Sequence, residues 1–123
     1  MRRAVLGGLL AYLFASAGAS RLAVVPLDSR PPTAQMPVLL ADIVGAEVVV
    51  PPLELLGKFT TPGSVDKVSA WLLDQCDDGV DAAIVSADML AYGGLIASRE
   101  PTVIAEQALR RLETLRALRK KHP

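Results

Sequence analysis

Cysteine and histidine are nearly missing from this chain of 123 residues; each occurs once, as Cys76 and His122. A single cysteine excludes a disulfide framework and a cysteine-based zinc site. On the apolar side of a helix, such a residue reads as a small core group. The one histidine sits next to the last residue, so histidine-based catalysis or zinc binding within this segment is not expected. Net charge is missing as well: thirteen Lys and Arg balance thirteen Asp and Glu. Setting aside Arg2 and Arg3 leaves eleven basic against thirteen acidic residues, without the positive excess that accompanies nucleic-acid binding. The one concentrated basic stretch, Arg110, Arg111, Arg116, Arg119, Lys120 and Lys121, falls on an expected helix, whose last turn favours cations. Neither a G-x-S-x-G elbow nor a Ser/His/Asp set occurs, nor does a P-loop or a dinucleotide fingerprint. No cofactor or metal is implied.

The amino terminus carries what the rest does not, a long apolar run. "MRR" is a basic start, "AVLGGLLAYLF" an apolar core, and "ASAGAS" offers Ala17-Gly18-Ala19 as an A-x-A cleavage site. The core has signal-peptide length and is short for a membrane span. Residues 1–19 are therefore expected to be a signal peptide, with export to the periplasm or beyond, and with membrane contact only through this leader. No cysteine follows the small residues, so lipid attachment is not supported.

Beyond the leader, strand-like and helix-like segments alternate. "RLAVVPL" (21–27) is short, apolar and closed by Pro26. "MPVLLADIVG" (36–45) sets Leu39, Leu40, Ile43 and Val44 on one helical stripe before a terminating Gly45. "AEVVVPP" (46–52) is a second strand, and "LELLGKFTTPG" (53–63) a loop with room for one short turn. Ser64 is suited to cap a helix whose Val65, Val68, Leu72 and Cys76 face a core. "AAIVSAD" (82–88) is a third strand, whose apolar run predicts burial on both faces, and "MLAYGGLIASRE" a glycine-bearing loop. A last helix runs from Pro101 to about Lys120 with Ile104, Ala108, Leu112, Leu115 and Leu118 on its apolar side and Glu106 placed to pair with Arg110.

The order β-α-β-α-β-α with short connections predicts an α/β fold, its alternating units building a parallel sheet through right-handed crossovers. Three strands make only a small sheet, so residues 20–123 are expected to be the N-terminal part of a larger α/β domain, open or barrel-like, completed by a C-terminal portion of the same protein.

In such sheets ligands bind outside the carboxyl ends of the strands, and here the two edges differ in kind. The amino-end connections, "VGAE" and "DDGVD", are plain turns. The carboxyl-end loops carry Asp28 and Arg30; Lys58; and Asp88, Tyr92, Gly93, Gly94 and Arg99. Asp28 and Arg30, two apart, point the same way in extended chain; they either hold each other or present a charge pair to a ligand. Asp88 at the end of a buried strand calls for a partner or a function. Asp28 and Asp88 are therefore the candidate catalytic pair, since two carboxylates flanking a cleft equip acid/base work or glycoside hydrolysis. Arg30, Lys58, Tyr92 and Arg99 are candidate substrate-binding residues. Gly93 and Gly94 join them, either bringing backbone N–H groups to an anion or making a simple turn.

"PLDSRPPT", "VVVPPLELLGKFTTPG" and "VSADMLAYGGLIASR" together resemble the start of a bacterial family known as domain of unknown function 4127. The likeness spans about residues 22 to 120, and the members are longer, which implies that this chain matches their N-terminal part. The motif positions fall here on Asp28, Arg30, Pro31, Gly57, Pro62, Gly63, Asp88, Tyr92, Gly93, Gly94, Ser98 and Arg99. Ser64 stands where the resemblance leads one to expect an acidic residue. The likeness implies a shared role at the strand-end loops and names no activity.

Three functions are consistent with these residues: an exported hydrolase for a carbohydrate-like polar substrate, a non-catalytic sugar or small-anion binding domain, and a structural fragment whose motifs only fix loops. If the leader is cleaved as expected, N-terminal sequencing of the exported protein will give a mature chain that starts at Ser20. A chain that retains Met1 would overturn this.

Overall fold

The computed structural model describes residues 19–100 and 102–123, so the expected leader lies outside the described residues except for Ala19. Among these residues three strands, β1 (Arg21–Val25), β2 (Glu47–Val49) and β3 (Ala82–Val85), form one parallel sheet in the order β2-β1-β3. Leu22 pairs with Val48 on one side and with Ala82 on the other. A β/α barrel keeps its strands in chain order; β1 lying between its two successors is the order of an open, doubly wound sheet. The alternating α/β architecture read from the sequence is thus present, in its open form.

Among the described residues, five helices connect and cover the strands: α1 (Pro31–Ala34), α2 (Met36–Val44), α3 (Val65–Asp77), α4 (Ala87–Tyr92) and α5 (Ala105–Lys121). Right-handed crossovers place α2 on one face of the sheet and α3 on the other. The core fills the α3 side. Ala23 and Val25 of β1 meet Val68 and Leu72 of α3, Met89 and Leu90 of α4, and Leu118 of α5, with Leu56 closing one end. Trp71, Cys76, Leu112 and Leu115 pack around this cluster, so Cys76 is the half-buried core residue its spacing suggested.

Several expectations change at this level. α2 forms as predicted, but its stripe of Leu39, Leu40, Ile43 and Val44 faces out, with Ile43 79% exposed, while Ala41 is buried. A helix that is apolar nearly all round has more than one apolar stripe, and periodicity cannot choose between them. The stripe with the smaller residue allows α2 to lie closer to β2. β3 is likewise not buried on both faces; Ala82 and Ala83 are exposed and Ile84 is 61% exposed. It is an edge strand among the described residues, and only Val85 packs toward the core cluster. α5 starts at Ala105, later than expected, and Ile104 in front of it is exposed while Ala108 and Leu118 are buried. Glu106 and Arg110 pair at 2.6 Å. Ser64 holds the cap position of α3, but its hydroxyl makes no capping bond; its N–H instead donates to the Leu55 carbonyl at 2.7 Å.

The amino-end edge is fastened by one side chain. The guanidinium of Arg21 reaches Glu47 at 3.3 Å, Asp78 at 3.1 Å and Gln75 at 3.0 Å, and its backbone N–H donates to Asp81 at 2.7 Å. That edge is occupied by structure, which leaves the opposite edge for other work. No described helix is long and apolar enough to cross a membrane.

These placements predict that Leu72→Ala, which empties a fully buried site, costs about 2–5 kcal/mol. Ile43→Ala should change stability by no more than about 0.5 kcal/mol, both read from urea unfolding. A loss at Ile43 as large as that at Leu72 would mean that the outward stripe of α2 is covered.

Candidate functional site

The β1 exit begins at Pro26 and turns sharply at Asp28. Its carboxylate is used on every side. Oδ1 accepts the Thr33 hydroxyl at 2.6 Å and the Arg30 backbone N–H at 3.1 Å. Oδ2 accepts Arg30 Nε at 2.8 Å and lies 2.6 Å from its Nη2. Pro31 and Pro32 open α1, where a missing N–H costs nothing and the fixed φ favours the helix. The turn is therefore stiff, and of the two readings left open for Asp28 and Arg30, the side chains do hold each other. The Asp28 side chain is 18% exposed and that of Arg30 59%. Partial burial pushes the Asp28 carboxyl up. The hydrogen bonds from Arg30 and Thr33, together with the charge of Arg30, outweigh this and hold its pKa below the ordinary value of 3.8.

The segment after β2 makes a single 3₁₀ turn, Leu53–Leu55, and then a tight hairpin. Lys58 and Thr61 close it with two backbone bonds, Lys58 N–H to Thr61 O at 3.0 Å and Thr61 N–H to Lys58 O at 2.9 Å. Gly57 starts it at φ +71°, where a Cβ would lie 2.3 Å from the Thr61 carbonyl oxygen; only glycine fits. Phe59 at the tip has φ +51° and is the one non-glycine residue with positive φ among the described residues. It is also 78% exposed. A bulky side chain in the left-handed region is uncommon and costs about 1–2 kcal/mol, which burial of the ring does not offset here.

The third loop departs from expectation at its start. β3 ends at Val85, and Ser86 caps α4 by accepting the Met89 N–H at 3.4 Å. Asp88 therefore sits in the first turn of a helix, where a carboxylate complements the helix dipole, and not at the end of a buried strand. Gly93 ends α4 in the left-handed conformation, and its N–H returns to Met89 O at 3.0 Å, while the Gly94 N–H returns to Asp88 O at 3.3 Å. With both N–H groups engaged in the cap, neither is left to receive an anion. What Gly93 provides is close approach: a Cβ there would lie 2.9 Å from Gly63 N, and the Gly63 N–H donates to the Gly93 carbonyl at 2.8 Å.

Between these loops lies a cavity of about 310 Å³. Asp28, Arg30, Lys58, Gly93 and Gly94 line it, so five of the eight residues singled out by sequence are brought together. Asp88, Tyr92 and Arg99 are not among the lining residues: Tyr92 is half-buried and Arg99 exposed on a 3₁₀ turn. The floor and walls are apolar, from Leu56, Pro62, Leu95, Ile96 and Ala97, with Phe59 at the hairpin tip. Phe59 escaped the sequence reading because an aromatic residue inside a turn breaks no periodicity. Its one signal was an aromatic between Gly57 and "TTPG" in a chain with 4% aromatic residues. Among the described residues, no group of three or more His, Cys, Asp or Glu could hold a metal ion.

Together, fold and cavity define a doubly wound α/β unit with its open pocket beside β1, between the exits of the two strands that flank it. The chain belongs to the family described as "Protein of unknown function (DUF4127)", whose model matches residues 22–123. No curated protein and no solved structure matches it.

The Asp28 cluster has a testable pH signature. Its folded pKa lies below the unfolded one, so the pair contributes stability above the unfolded value, and this is lost as pH falls through the lower folded value. The melting temperature of Asp28→Asn should lie below wild type at pH 6–7 (ordinary working conditions, about two units above the carboxylate range), and the two should converge in acid below the ordinary 3.8. A gap that stays constant into acid would overturn the assignment.

Proposed function

We propose that the carboxyl edge of this sheet is a binding site for a small carbohydrate-like molecule. The observation that carries this reading is the combination, in one cavity, of a fixed polar cluster with an exposed aromatic ring. A sugar has a CH-rich face and a rim of hydroxyls. Phe59 offers a flat apolar surface to the first, and Arg30, with guanidinium N–H groups beyond those held by Asp28, offers donors to the second. Because Asp28 and Arg30 already fix each other, little side-chain freedom is lost when a ligand arrives. The position outside the carboxyl ends of the strands supports the same reading, as does a mostly apolar lining with a few convergent polar groups.

Binding without turnover fits better than hydrolysis. A two-carboxylate glycosidase needs a protonated acid beside an ionised partner. Asp28 is held ionised, and Asp88 is outside the lining of the cavity. The proposal includes export, on the sequence of the leader alone.

The test is thermal denaturation of the full-length protein with a panel of neutral monosaccharides, sugar acids and their simple glycosides, with chromatography for the sugar and alcohol that hydrolysis of a glycoside would release. A ligand at ten times its Kd should stabilise by about 1.4 kcal/mol and raise the melting temperature. Phe59→Ala, which removes an exposed ring, should abolish that rise while leaving the unliganded melt near wild type. No shift with any member of the panel would sink the proposal, and release of product would restore the hydrolase reading.

A further inference from the structure

We infer that the ligand of this cavity is an acidic sugar, a polyhydroxylated carboxylate, and that Lys58 is the residue that selects it. This rests on the carbohydrate reading above and adds the charge. One carboxylate and two cations line the cavity, Asp28 against Arg30 and Lys58. Asp28 is satisfied from within: Arg30 and Thr33 take up both its oxygens. The Asp28–Arg30 pair is therefore neutral as a unit, and Lys58 is the remaining charge. Among the described residues Lys58 has no carboxylate within salt-bridge distance, and its side chain makes no hydrogen bond there. It is exposed, so its ammonium is free to meet a ligand at the mouth.

The backbone that presents Lys58 is built for position. Gly57 lets the Thr61 carbonyl oxygen pass 2.3 Å from where a Cβ would stand, and the two bonds between Lys58 and Thr61 fix the hairpin. The next residue, Phe59, is held at φ +51° with its ring in solvent. A strained, exposed aromatic gives the fold nothing that a glycine would not give. Strain of this kind gathers at ligand-contacting positions. Lys58 and Phe59 thus form a two-residue reader at the mouth, the ammonium for a carboxylate and the ring for the CH face beside it. A uronic acid carries both on one six-membered ring, with hydroxyls left over for the outer N–H groups of Arg30. An ionised donor and acceptor give a stronger hydrogen bond than a neutral pair, which makes charge the main source of discrimination between an acidic sugar and its neutral counterpart.

Isothermal titration of the full-length protein with glucuronate and with glucose, in wild type and in Lys58→Gln, tests this. Wild type should bind glucuronate about tenfold or more tighter than glucose, as expected for a charge-assisted bond, and raising the salt should narrow the gap. Lys58→Gln should remove the preference, bringing glucuronate binding down to the level of glucose, and melt like wild type without ligand. Equal binding of the two sugars by wild type, or a preference that survives in Lys58→Gln, overturns the inference and leaves the carbohydrate site standing. Failure of wild type to bind either sugar, or any other of the panel, overturns both.

Discussion

The cavity depends on how closely backbone can approach backbone where the second and third loops meet. The Gly63 N–H reaches the Gly93 carbonyl at 2.8 Å, and a Cβ on Gly93 would stand 2.9 Å from Gly63 N. No side chain fits in that seam. With it closed, the end of α4 and the segment before α3 form one continuous wall, and the stiff Asp28 turn faces it from the β1 exit. The fold thus sets three loops of different origin around a single space, because the sheet order puts β1 between the two strands whose loops flank its own.

The electrostatics are divided with the same economy between the two edges. At the amino end Arg21 gathers Glu47, Asp78 and Gln75 and ties strand starts to the end of α3. At the carboxyl end Arg30 and Asp28 close on each other within one turn. Both arrangements neutralise charge locally, but the first does so across the fold and the second inside a loop. A pair that is complete within its own loop can line a pocket without calling on a neighbouring element. That leaves the floor of the pocket free to be apolar.

Much of this was legible in the sequence, and the failures have identifiable causes. The alternation of strands and helices and the contrast between plain and polar edges came from periodicity and turn residues, and so did the gathering of Asp28, Arg30, Lys58, Gly93 and Gly94 at one end. Periodicity puts Leu39, Leu40, Ile43 and Val44 on one stripe of α2 without deciding which way it turns; the burial of Ala41 shows that it turns outward. Asp88 was misplaced because "AAIVSAD" continues apolar to Ala87, with only the Ser86 hydroxyl marking the switch from strand to helix. The packing role of Gly93 and the conformation of Phe59 depend on contacts between residues about thirty apart or on a single dihedral angle. Neither leaves a periodic trace. What the sequence carried was therefore the gathering of these residues at one edge, and not their contacts.

The hairpin after Gly57 closes on itself. Both of its cross-strand bonds run between Lys58 and Thr61, and its tip residues are exposed. It contributes nothing to the central core cluster, whose nearest member in the chain is Leu56. Such an element behaves as an interchangeable cassette: its tip can be rewritten while the seam at Gly63, the Asp28 turn and the sheet stay as they are. Within this architecture, positions 58 and 59 are then where side chains can be exchanged with the least disturbance to the rest of the fold.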